Sequence, residues 1–334
     1  MAVSIVLLIM AAALAIGAAA IPSEDEVVDF FVDEFEIDLD FEDEGDPRAI
    51  DPASELDDNL PNLGSDWDEV SGGAGNDVIG GGDGFDELEG GSGNDTLSGD
   101  NGKDVLAGNS GDDLLDGGSW DDVLDGGTGE DRLRGGTGKD ILIGGDGDDR
   151  LIGQQDQDVL IGDAGSDFLD GGKNDDLLIG ADFLNREVTV EEWHRFLRSD
   201  GDTDAFGRGL IGVLSDDGTS DTLIGGAGND ILFLSDEDIG IGGDGQDSFS
   251  VVDLPEATGA AIIQDFDPAD DKIVLVRPGG AEPEVTVTPD GADAIVRADG
   301  APAARVLDAA NDLEASMIET TVFDPDLKQS AFAL

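Results

Sequence analysis

Cysteine is absent from this 334-residue chain, histidine occurs once, and 16 basic residues face 80 acidic ones. Without cysteine there is no disulfide, no zinc–thiolate site and no cysteine nucleophile. A net charge of −64 makes nucleic acid and anionic membrane surfaces poor partners. Aromatic residues form 5% of the chain, too few for a large aromatic core. A compact chain of such charge repels itself, so it either stays open or is neutralised by cations. Glycine, by contrast, is abundant at 51 residues. Without a collagen period, that abundance indicates tight, repeated turns.

The chain divides by composition. Residues 1–21 are an uncharged apolar run, long enough for a membrane-spanning helix. A cleaved signal peptide is the rival reading, since Ala18-Ala19-Ala20 resembles a cleavage site, although no basic residue precedes the run. Residues 22–70 are an acidic stretch with scattered phenylalanines, expected to be a disordered linker. Residues 71–180 are a repeat array, 181–218 interrupt it, and 219–250 resume it. Within the interruption, Thr189 and Glu192 form a capping-box pattern that opens a short amphipathic helix through Trp193, Phe196 and Leu197. Residues 251–334 read as a β-rich cap. Strands are expected around Ile262, Ile273–Val276, Val285–Val287 and Ala294–Val296, with a short helix over Ala309–Ile318.

The array is strictly periodic. Aspartate recurs every nine residues at Asp77, Asp86, Asp95, Asp104, Asp113, Asp122, Asp131, Asp140, Asp149, Asp158, Asp167 and Asp176. Two residues after each stands Ile79 or a leucine, from Leu88 to Leu178, and five residues before each stands a glycine, from Gly72 to Gly171. After the interruption, Asp221, Asp230 and Asp247 mark further, less regular copies. The aliphatic residue suits a very short strand with its side chain inward, so stacked copies build a narrow ladder. One unit cannot cover its own leucine, and stability must come from stacking. The glycines permit positive φ where the chain turns sharply and leave main-chain carbonyls open to an ion. The aspartates add hard anionic oxygens. Calcium, which takes six to eight oxygens in flexible geometry, fits such loops better than magnesium with its strict octahedron.

Gly72-Gly73-Ala74-Gly75-Asn76-Asp77-Val78-Ile79-Gly80 is similar to the GGxGxDxUx nonapeptide of RTX, or hemolysin-type calcium-binding, proteins. The resemblance implies an all-β parallel β-roll with two nonapeptides per coil and several calcium ions held between loops one coil apart. Asp77 then stacks on Asp95, Asp113, Asp131, Asp149 and Asp167, while Asp86, Asp104, Asp122, Asp140, Asp158 and Asp176 line the other side. Asp221, Asp230 and Asp247 extend the set. The stretch Gln264-Asp265-Phe266-Asp267-Pro268, followed by Asp271-Lys272-Ile273, resembles the strand pair that follows such arrays. The apolar finish Gln329–Leu334 resembles the uncleaved signals that type I secretion machinery reads in this family.

Several loops depart from the pattern on their glycines. Trp120 replaces a fourth-position glycine, and Gln154 and Asp156 replace two in one unit; weak or absent ions are expected beside Trp120 and Gln154. Asp100, Asn109 and Asp163 replace second-position glycines, where Asn and Asp are better tolerated.

Nothing outside the array spells catalysis. Glu191-Glu192-Trp193-His194-Arg195 is not the HExxH of a metalloprotease, and no nucleophile elbow or phosphate loop is present. The sequence therefore points to a non-enzymatic calcium-binding protein, secreted or on the cell surface, with residues 2–21 a candidate anchor. An adhesin or matrix protein bridged by calcium is one alternative. A hydrolase with its site in the insertion or the C-terminal region is another.

Overall fold

The computed structural model describes residues 57–65, 67–180, 219–252, 259–278 and 281–323. The apolar run, most of the acidic linker, the insertion helix with His194 and the last eleven residues lie outside the described residues. Among the described residues no helix is long and apolar enough to cross a membrane.

The architecture follows from the repeat. Each nonapeptide turns at its glycines and then runs as a short strand, so successive strands fall alternately into two sheets, one of 13 strands and one of 11. Neighbours within a sheet are parallel: Leu97 pairs with Ile79 and Leu115, and Leu106 with Leu88 and Leu124. A coil is therefore two nonapeptides, and the chain forms an all-β parallel roll.

The second residue after each aspartate points between the sheets. Ile79, Leu97, Leu115, Leu133 and Leu151 come from one sheet and Leu88, Leu106, Leu124, Leu142 and Leu160 from the other, all at 1% exposure or less. Each contributes about 1.5–3 kcal/mol by burial, and none could do so without the coils on either side. The ladder has one gap. Gly240 stands between Leu223 and Ile263 in register. A side chain there would strike Leu234 and Phe249, which fill the space.

The roll begins earlier than the repeat does. Asn59–Leu60 pairs with Val78–Ile79, inside the stretch expected to be linker. It also passes the insertion without losing register, since Leu169 pairs with Leu223 and Leu178 with Leu232. The two sheets thus stay in register across the insertion.

The C-terminal region continues the same sheets. Ala261–Ile263 and Ala301–Val306 extend one, and Lys272–Pro278 and Ile318–Phe323 extend the other, all parallel. Asp293–Ala298 pairs antiparallel with both Val285–Asp290 and Ala301–Val306, closing the end of the 13-stranded sheet. Side chains of both regions share one core. The helix expected over Ala309–Ile318 is not formed. Turns hold Ala309 and Leu313 against that core, and the only helical piece there is a 3-10 turn at Ala315–Met317.

Candidate metal centre

All fifteen aspartates named by the repeat lie at the last turn position before a strand, at 3% exposure or less. They form two stacks. In the first, Asp77 N–H donates to Asp95 Oδ1 at 2.7 Å, and the pattern runs on through Asp113, Asp131, Asp149, Asp167 and Asp221. In the second, Asp86 N–H donates to Asp104 Oδ1 at 2.8 Å, and so on through Asp122, Asp140, Asp158, Asp176, Asp230 and Asp247. The main-chain N–H of each ladder aspartate is thus satisfied by the carboxylate of the following coil.

The other oxygen is the informative one. Oδ2 of Asp77, Asp86, Asp95, Asp104, Asp113, Asp122, Asp131, Asp140, Asp149, Asp158, Asp176, Asp230 and Asp247 is buried without a hydrogen-bond partner. An ionised oxygen so placed is costly unless it is protonated or meets a cation. The glycine five residues earlier makes its space. A Cβ on Gly126 would sit 2.5 Å from Asp131 Oδ2 and 2.6 Å from the Gly144 carbonyl oxygen. One on Gly117 would sit 2.5 Å from Asp122 Oδ2 and 2.9 Å from the Gly135 carbonyl oxygen. Acceptors therefore converge from two coils with no donor between them. Among the described residues no three acidic or histidine side chains gather as a metal-ligating group. A cation here has to take much of its shell from main-chain carbonyls, which suits a hard ion with an oxygen preference.

The two stacks differ in electrostatics. Burial is the main cause in both, opposed by the donated N–H and reinforced by neighbouring carboxylates. Asp95, Asp113, Asp131 and Asp149 are pushed up to about 6. In the second stack Asp104 and Asp140 are pushed up to about 7, and Asp122, Asp158 and Asp176 to about 9.

The structure places further residues in the ladder that the period did not mark. Asp58 N–H donates to Asp77 Oδ1 and Asp68 N–H to Asp86 Oδ1. Their signature, Asp-x-Leu without glycines and Asp-x-Val with Gly64 alone, was the available signal. Asp238 accepts from Asp221 N–H after a coil shortened to 17 residues. Its Oδ2 accepts from Ser235 N–H and Oγ. Asp271 accepts from Asp247 N–H on one oxygen and from Asp267 N–H on the other. These last two carboxylates are satisfied by the protein itself. A second, outer ladder runs the opposite way: Asn94 N–H donates to Asn76 Oδ1 and Glu130 N–H to Asp112 Oδ1. It accounts for the Asn and Asp found before several repeat aspartates.

The departing loops keep their shape. Trp120 adopts φ 83°, Gln154 φ 85° and Asp156 φ 74°, and Asn174 does the same at φ 71°. Asp100, Asn109 and Asp163 also take positive φ. Non-glycine residues there are strained by about 1–2 kcal/mol each. The Oδ2 atoms of Asp122 and Asp158 remain buried beside these loops. Trp120 turns its indole outward, at 65% exposure.

Residues 63–183 and 215–249 match the family model of the RTX calcium-binding nonapeptide repeat, in overlapping copies. No curated protein matches the chain significantly. Among solved structures, the extracellular lipase LipA from Serratia marcescens aligns at 17% identity with a TM-score of 0.27. That alignment covers 76% of this chain and 42% of the lipase, so this chain spans less than half of the lipase's length. A likeness at that score says nothing of activity here.

Proposed function

The chain carries RTX calcium-binding nonapeptide repeats, which imply calcium binding in a β-roll, and from that premise we propose that calcium serves as its folding switch. In this reading the protein is a non-enzymatic, secreted or surface-displayed roll. It stays open where calcium is scarce and closes where calcium is abundant. The observation that carries it is the row of buried Oδ2 atoms without hydrogen-bond partners, facing glycine carbonyls of the next coil. Asp77 through Asp176, with Asp221, Asp230 and Asp247, are the side chains that would hold the ions. Because calcium would bind only the closed roll, it would stabilise that state by mass action. The charge of −64 would oppose closure in its absence.

Circular dichroism during calcium titration, with EDTA reversal, tests this. The expected result is a cooperative gain of β signal in calcium and its loss on chelation. A chain equally folded in EDTA at neutral pH would refute the switch. Magnesium at the same concentration is expected to be much less effective.

A further inference from the structure

The charges of the roll are divided unevenly between its two halves. The basic residues described between Asp68 and Val252 are Lys103, Arg132, Arg134, Lys139, Arg150 and Lys173. All of them stand on strands of the 13-stranded sheet or in the turns directly after those strands. The residue after each aspartate points outward. On the 11-stranded sheet this column is an apolar outer stripe, in which Val123, Ile141, Val159 and Leu177 are buried. On the 13-stranded sheet the matching column runs Leu114, Arg132, Arg150 and Phe168 in register. Arg132 and Arg150 are exposed neighbours on adjacent strands. Like charges side by side in a sheet destabilise it. Arg134 is paired with Asp116, and the Arg150 guanidinium lies over the Phe168 ring at 4.1 Å. Neither Arg132 nor Arg150 forms an ion pair with a carboxylate of the described residues.

The turns that lead into the same strands carry the opposite charge. Glu130 stands two residues before Arg132 and Asp148 two before Arg150, both exposed, with the buried Asp131 and Asp149 between. An acidic column therefore runs beside the basic one, and both repeat at the coil spacing of about 4.8 Å. We propose that this face is the interface for a second copy of the chain, related by a two-fold axis parallel to the roll. That rotation lays each acidic column on the basic column of the other copy and keeps the coils of both in step. A two-fold across the roll would set like charge on like. The face is thus self-complementary, as a two-fold dimer requires. An acidic partner of another kind would meet the arginines but be repelled by the acidic column, and a basic partner the reverse. A surface with both columns at this spacing satisfies both, and the chain carries one. Arginine also forks onto carboxylates in pairs of hydrogen bonds, and arginine and aromatic residues such as Phe168 are favoured at interface centres. The net charge of −64 opposes association at long range, but salt screens it beyond about 8 Å, whereas the ion pairs act in contact. The inference rests on the calcium-closed roll, since the columns exist only where coils stack.

Sedimentation velocity of the full chain in calcium, with the roll confirmed by circular dichroism, tests this. A concentration-dependent dimer is expected, several-fold weaker at high salt. Arg132→Glu with Arg150→Glu should keep the β signal and stay monomeric. Mixed with the Glu130→Lys variant, that double variant should pair with it more tightly than either pairs with itself. A roll that forms in calcium but stays monomeric at every concentration refutes the dimer and not the folding switch. Dimerisation that the arginine replacements leave unchanged also overturns the inference, and would assign association to calcium bridging or to another face. Should the glutamate variant fail to fold, Arg132→Gln with Arg150→Gln gives the second reading. A several-fold loss of dimer affinity is expected there, and an unchanged affinity overturns the inference.

Discussion

The two sheets of the roll are made from the same nonapeptide, and inside they are equivalent. Outside they are not. Strands of the 13-stranded sheet show solvent Arg132, Arg150 and Thr222 where strands of the other sheet show Ile141, Val159 and Ile231. The aspartates follow suit. Those that open strands of the 11-stranded sheet are pushed up to between about 7 and about 9 in its middle, against about 6 across the roll. A repeat fixes the backbone and the inner ladder; the environment of each carboxylate is then set by the residues the repeat leaves free. Two aspartates in identical loops can therefore differ in how readily they ionise.

Experiments can press on that difference. The largest effects should fall where the sheets agree. Leu124→Ala and Leu133→Ala, one from each sheet, are both expected to lose about 2–5 kcal/mol in calcium-bound unfolding. A cost much larger on one side would mean that the core is not shared evenly. Next come the outer positions. Ile141→Asn should destabilise by about 1–3 kcal/mol, as a buried polar group without partners, whereas Leu114→Asn should stay within about 0.5 kcal/mol. Equal effects in denaturant titration would erase the distinction between the faces.

The pH dependence sharpens the comparison further. These carboxyls are raised above their unfolded value of 3.8. The metal-free roll therefore binds more protons than the open chain. Its stability is fully present below that value and is lost as pH rises through about 6 for one stack and up to about 9 for the other. Metal-free chain should gain β signal on acidification and lose it toward alkaline pH. Calcium binding should release protons, so its apparent affinity falls as pH falls. Carboxyl carbon NMR in the absence of calcium should show two groups of titrations; a single group would contradict the contrast. The smallest effect is expected at Trp120→Gly, a gain of about 1–2 kcal/mol by relief of positive φ, read as a higher unfolding midpoint in calcium.

Much of this was legible in the residues. The spacing of aspartate, leucine and glycine carried the coil, the ladder and the site aspartates, because all three recur at the period of the backbone itself. The outer stripe was not legible at that period. It appears only when alternate units are separated, since each sheet takes every second nonapeptide. Asp238 escaped because its coil is one residue short, Asp58 because its turn lacks glycine, and Asp68 because its turn keeps only Gly64. Trp120 takes positive φ at a steric cost, held in the loop by stacked coils above and below, with its indole in solvent. The helix expected near Ala309 failed because Ala309 and Leu313 reach the core from a turn, where helical spacing had been read into them.

The buried aspartate ladder also has a direction. Every aspartate N–H of this ladder looks toward the C-terminus for its acceptor: Asp149 needs Asp167, Asp167 needs Asp221, and Asp247 needs Asp271. Asp271 takes its remaining support locally, from Asp267. In this inner ladder a coil is thus finished by its successor, while the outer Asn and Asp ladder leans on its predecessor. Trimming coils from the front leaves every remaining aspartate N–H with its carboxylate acceptor, whereas trimming from the back uncovers one at each cut. The solenoid has a keystone end, and it lies beyond the last repeat, in the segment that carries no nonapeptide at all.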